Sequence, residues 1–310
     1  MLALVQVGIS TAFARGWRPA PDAPSPAPMP PKLLLDLLLR AEVAFVSLDD
    51  GLHPGYFTEL APLLAARRDS LPVTLVENLC PASKRAGADL CSLDRNESQV
   101  AVEAARDTIR VAGDLGARFV AVRLGEVQVA RRLWPDLRLS WLRGELEEDD
   151  APRIEVKEAR AKDALRHLDP ARRSLEQLAR AAETYGITVG VRNPGRGIGF
   201  PSPAELPILL SDLSGAPIAP LLDAAAAHLS DAMGFSSLDE TLAAWKGAPI
   251  ALIADACGPI AGLPPRHGEL DLPSVMKSLS QDAKVAFAAS PLLEPRELQA
   301  GLESLRRLSG

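Results

Sequence analysis

The chain has little cysteine. Cys80, Cys91 and Cys257 are its three cysteines, an odd number without C-x-x-C spacing. That argues against a disulfide framework or a thiolate zinc cluster and fits a reducing, cytoplasmic setting. Basic residues are not in excess either. Lys and Arg number 34 against 40 Asp and Glu, a net charge of −6, whereas a general nucleic-acid surface is normally basic. No apolar run is long enough to span a membrane. The apolar opening, Met1–Gly16, has no basic n-region and is interrupted by Gln6 and Gly8. It therefore reads as a first strand, not a secretory leader.

Apolar residues make up 47% of the 310 positions, ample for one large core; the length suits two average domains or one α/β barrel. Short apolar runs alternate with helix-like runs throughout. Strands are expected at Leu2–Ser10, Val43–Leu48, Pro72–Asn78, Arg118–Gly125, Ile187–Asn193, Ile218–Asp223, Pro249–Asp255 and Lys284–Ala289. Continuous apolar runs of this length suit parallel strands buried on both faces.

Helix signals fill the gaps. Asp169-Pro170 supplies an N-cap and a first-turn proline, and Gly186 a stop. Leu175, Leu178, Ala182 and Tyr185 recur between them at helical spacing. Ser202-Pro203 with Glu205 opens another helix, and Ser237 with Glu240 forms a capping box. Gln99–Leu115 and Glu294–Leu308 are helical by period. Eight βα units predict a single (β/α)8 TIM barrel domain over residues 1–310.

Two segments exceed a minimal barrel. Ala14–Pro31 is proline-rich and expected to be a loop over the face where barrel active sites lie. Val127–Leu168 is a long insertion holding the acidic run Glu145–Asp150. Its mixed-charge stretch Glu155–Arg166 reads as a solvated helix with pairs such as Glu158 and Lys162. Gly195-Arg196-Gly197-Ile198-Gly199 has the glycine count of a phosphate loop. Phe200-Pro201 separates it from the next helix, so it reads as a flexible loop or lid over the mouth.

Several motifs in order carry a resemblance: Cys80-Pro81 with Ala88-Asp89-Leu90 and Ser92-Leu93-Asp94, then Leu115-Gly116-Ala117 followed by Val120–Gly125. Ser174–Ala179 with Tyr185-Gly186-Ile187, Leu222-Asp223, and Gly268–Leu272 complete the series. Together they resemble the xylose isomerase-like TIM barrels, which include sugar isomerases, sugar epimerases and apurinic endonucleases. The resemblance implies a divalent metal held by carboxylates and imidazoles at the strand ends, acting as Lewis acid or water activator.

This sequence departs from that pattern. Arg192-Asn193 stands where the resemblance implies Glu-Asn, and Ala226 where it implies the histidine three residues after Asp223. Leu252 and Ala254 replace two histidines ahead of Asp255, and Ala288 replaces a glutamate. Glu77 and Arg123 occupy positions expected of histidines. A guanidinium donates no lone pair, and a positive charge ~4 Å from a cation costs about 4 kcal/mol at an effective dielectric near 20. No metal and no cofactor is therefore expected.

Arg123, Arg192, Asn193, Asp223 and Asp255 are the candidate ligand-binding residues; Glu77 and His267 are the candidate proton-transfer pair. The charged groups are expected to form an ion-pair network; the alternative is a pocket in which Arg123 and Arg192 grip an anion. His228 reads as a packing histidine, His53 as a weaker mouth candidate, and Cys257 as a buried small residue. Three functions remain open. The first is a degenerate, non-catalytic barrel binding a small anionic or sugar-like ligand or a protein partner, with no nucleic-acid or membrane role. The second is a sugar or sugar-phosphate isomerase, epimerase or lyase acting by metal-independent proton transfer. The third is an ordinary metal-dependent enzyme of the superfamily.

Overall fold

The computed structural model describes residues 5–16, 28–81, 88–130, 132–145 and 151–308. Eight parallel strands close into a barrel: β1 (Gln6–Ser10), β2 (Val46–Leu48), β3 (Val73–Glu77), β4 (Phe119–Val122), β5 (Thr188–Arg192), β6 (Ile218–Asp223), β7 (Ile250–Ile253) and β8 (Lys284–Phe287). They run in sequence order around the barrel, and β8 pairs with β1 to close it. The fold is a (β/α)8 barrel; Ile218–Asp223 has its expected span, the other strands lie within theirs, and residues 2–4 of the first lie outside the described residues.

Side-chain alternation turns this register into a layered interior. Leu75, Ala121, Leu221, Ile250 and Ala286 form one buried cluster with Phe45 and Leu252. Two residues further along their strands stand Glu77, Arg123, Asp223, Leu252 and Ala288, all lining the barrel mouth. The apolar cluster thus plugs the barrel beneath the mouth, while the main core lies between strands and helices.

The helices largely follow their signals. Gly186 ends Leu168–Tyr185 in the left-handed region at φ 63°, and Ser237 with Glu240 makes the capping box. Asp169, however, is not an N-cap. A 3-10 turn, Leu165–His167, runs straight into that helix, and Asp169 pairs with Arg172 instead. The helix after Ser202 begins at Leu206, with Glu205 accepting from the Ser202 amide at 2.7 Å.

The departures from a minimal barrel differ from expectation. Thr11–Gly16 is a 3-10 helix, so the loop after β1 starts with ordered turns; residues 17–27 lie outside the described residues, as do 146–150 of the acidic run. The insertion forms two helices, Leu133–Leu142 and Ala151–Ala164. The second is not merely solvated. Glu158 and Lys162 are exposed, but Arg153, Val156 and Ala164 are buried. Trp134, Leu137 and Val156 pack with Ile198 and Met233 into a separate small core. Arg160 forms a buried bidentate pair with Glu205 (2.9 and 2.8 Å) and donates to the Gly199 carbonyl at 2.9 Å. Among the described residues no helix is long and apolar enough to cross a membrane.

Candidate functional site

The mouth opens into a cavity of about 830 Å³ at the C-terminal ends of the strands, where barrel active sites lie. Arg192, the last residue of β5, stands at its centre. Its Nε donates to Asp223 Oδ2 at 2.7 Å, its Nη2 to the same oxygen, and its Nη1 to Glu77 Oε2 at 2.7 Å. Asp223 ends β6 and begins the next helix, so its other oxygen caps the Ala226 amide at 3.0 Å. Asn193 is buried beside it. It accepts from the Asp223 amide at 2.6 Å and donates to the Asp223 carbonyl at 3.0 Å. Both ends of its amide are spent clamping β5 to β6.

Burial disfavours charge on Glu77, and Arg192 offsets this only in part, with the nearby Asp50 and Asp49 carboxylates adding to the rise. The Glu77 carboxyl is raised to about 7. Burial pulls Arg192 the other way from its neighbours, but Asp223 and Glu77 win and hold it above its ordinary value. The site is an Arg192–Asp223 ion pair beside Glu77, whose carboxyl is held well above the usual carboxylate range.

Further pairs ring this centre. Asp49 follows β2; burial raises its pKa, while Arg15 Nε at 3.1 Å opposes that. Arg123 is exposed and bonds Asp50 at 2.8 Å. Arg196 bonds Glu126 at 2.7 Å. Asp89 accepts from the Glu126 amide at 3.0 Å, and burial raises its pKa to about 6. It fits there because Gly125 has φ 126° and no Cβ; a Cβ would stand 2.4 Å from Asp89 Cγ. Arg15, Asp49 and Glu126 were not singled out from sequence, and Asp89 and Arg196 were named only within the Ala88–Leu90 motif and the Gly195–Gly199 loop, without a site role. Their one signal was position, each lying in a loop that follows a barrel strand.

The expected residues do not all converge. Glu77, Arg192 and Asp223 do, and the network forms among them; Arg123 lines the same cavity but pairs with Asp50 instead. Asp255 does not line the cavity. Its oxygens accept from the amides of Ala256 (2.9 Å), Arg266 (2.9 Å) and Leu270 (3.1 Å), anchoring the loop after β7. That leaves His267 exposed and off the cavity lining, apart from Glu77. His53 caps a helix through Gly55, and His228 is half-buried with Nε2 3.9 Å from Glu269. Cys257 is half-buried, not buried, and its thiol donates to Glu269 at 3.1 Å. The Gly195–Gly199 loop is tied down: Gly199–Phe200 pairs antiparallel with Gly125–Glu126, and Arg160 holds the Gly199 carbonyl.

The donor set does not fit a divalent cation. Glu77 and Asp223 both reach the centre, but a guanidinium bridges them, and the other strand-end slots hold Leu252, Ala254 and Ala288. Among the described residues no three His, Cys, Asp or Glu side chains cluster as metal ligands.

No family model matches the sequence, and no curated protein matches it by sequence. Solved structures do match by shape. A D-tagatose 3-epimerase-like protein superposes with a TM-score of 0.69 at 15% identity, covering 98% of this chain and 97% of that one. An L-ribulose 3-epimerase gives 0.62 at 16% identity over 98% and 96%. The IolI protein, solved with a bound zinc atom, gives 0.63 at 15% identity over 98% of each chain. At such identity the likeness establishes the fold, one shared with sugar epimerases.

Proposed function

We propose that the protein binds a sugar or related polyhydroxy carbonyl compound in the barrel mouth and isomerises or epimerises it by metal-independent proton transfer. The observation carrying this reading is Glu77: a buried carboxyl on the cavity wall, tuned to about 7 and 2.7 Å from a fixed guanidinium. A proton carrier works best with a pKa near the working pH. In the reaction the Glu77 carboxylate takes the proton from the carbon beside the substrate carbonyl. The C–H electron pair enters an enediolate, and Arg192 offers a cation to its developing oxyanion. Return of the proton to the neighbouring carbon, with the hydroxyl proton passing from one enediolate oxygen to the other, isomerises the sugar. Return to the opposite face epimerises it, for which Asp89, raised to about 6, is the second acid. The likeness in fold to sugar epimerases supports the substrate class.

One observation favours the non-catalytic reading. Asp223 and Glu77 already occupy the inner edge of the guanidinium, so a ligand must displace Glu77 from it. A panel of aldoses, ketoses and their phosphates, incubated in D2O with EDTA and followed by NMR, separates the two. Deuterium should enter at the carbon beside the carbonyl of at least one sugar, with a rate rising through pH 7 and falling at least 100-fold in Glu77→Gln. Binding without exchange would establish the non-catalytic reading. Exchange abolished by EDTA would overturn the metal-free chemistry.

A further inference from the structure

The two halves of the mouth differ in chemistry. The half from β2 to β5 carries the charged and amide groups described above. The half from β6 to β8 presents Ala226, Leu229, Leu252, Ala261, Ala288 and Pro291 to the same cavity. The polar groups on that side are few, and most of their hydrogen-bonding atoms are engaged. Asp223 is held by Arg192 and the Ala226 amide; the Ser290 amide donates to the Gly262 carbonyl at 2.9 Å, and Ser290 Oγ accepts from the Leu292 amide at 3.2 Å. Ile260 (57% exposed) and Leu292 (83% exposed) are the sequence neighbours of the lining residues Ala261 and Pro291.

A free sugar carries hydroxyls around its whole ring. Laid in this mouth, it would press one edge against a wall offering them few partners, at the cost of burying unpaired polar groups. The cavity is also large, towards the upper part of the roughly 300–1,000 Å³ range of small-molecule pockets. We infer that the cavity takes an amphipathic ligand, a polyhydroxy head against the Glu77–Arg192 side joined to an apolar alkyl or aryl group against the Ala226–Leu252–Ala288 wall. The head placement rests on the proposed function; the apolar subsite does not.

Methyl-labelled protein observed by NMR tests this with three probes: benzyl alcohol, methyl β-D-glucopyranoside and phenyl β-D-glucopyranoside. Benzyl alcohol should shift the methyls of Ala226, Leu229, Leu252 and Ala288 saturably. The phenyl glycoside should bind at least tenfold more tightly than the methyl one. Ala226→Asp and Ala288→Asp, checked for folding by their remaining methyl spectra, should each abolish the benzyl alcohol shifts. No saturable shift of these methyls with benzyl alcohol would overturn the subsite. If benzyl alcohol binds but neither glycoside does, and Arg192→Met leaves that binding unchanged, the apolar subsite stands and the sugar-head reading falls.

Discussion

Arg192 shows how one side chain reorganises a site. A guanidinium at the end of β5 draws the ends of β3 and β6 together through Glu77 and Asp223. Replacing it by methionine leaves Asp223 buried without a counter-charge, and breaking such a pair typically costs about 3–5 kcal/mol. Arg192→Met should lose that much in urea unfolding; a loss under about 1 kcal/mol would mean the pair is worth no more than a surface one. Glu77 sets a pH dependence of the opposite sign to an ordinary ion-paired acid. Its folded pKa, about 7, lies above the unfolded value of about 4.3, so the native state binds more protons between them. Stability from this group is full below about pH 4 and lost as pH rises through 7. Asp89, raised to about 6, acts in the same direction. The midpoint temperature should fall between pH 5 and 8, and fall less steeply in Glu77→Gln. An identical slope in that variant would remove Glu77 as the cause.

Among the elements, the insertion is the one whose role changes most between sequence and structure. Its second helix reads as solvated because its charges outnumber its apolar residues. Yet Arg160 turns inward, and with Glu205 it locks the helix to the loop that rims the cavity. Arg160→Met should destabilise by about 3–5 kcal/mol through the unpaired Glu205 and speed amide exchange at 196–205. The double variant Arg160→Met/Glu205→Leu should recover much of the stability, since an apolar pair of similar volume often replaces a buried ion pair without loss. If it recovers none, the helix is held by the Trp134–Val156 core and not by the pair.

For the whole molecule, the absence of a fitting metal donor set has a thermodynamic consequence. A cation bound to the folded state alone at 100 times its dissociation constant stabilises by about 2.7 kcal/mol. With Arg192 at the centre of the mouth, 1 mM Mn2+, Zn2+ or Mg2+ should leave the unfolding temperature where EDTA leaves it. A rise of several degrees with one bound equivalent by elemental analysis would contradict this.

The barrel itself was legible in the sequence. Each strand is a short apolar run bounded by turn residues, each helix carries its own period or caps, and parallel strands joined by helices leave little choice but a wound or closed sheet. Which residues stand at the strand ends was legible too, because strand ends are positions a linear reading can count. What it could not settle is which charged groups at those ends meet. Asp223 and Asp255 look equivalent in sequence, each closing a strand-like run. Only the folded chain turns Asp223 onto Arg192 and Asp255 onto the backbone of its own loop, where Gly268, lacking a Cβ, leaves room for the carboxylate. Likewise Arg160 and Glu205 lie 45 residues apart, and nothing local marks them as partners. Pairing across such distances follows from how the helices pack around the barrel, and that packing exists only in three dimensions.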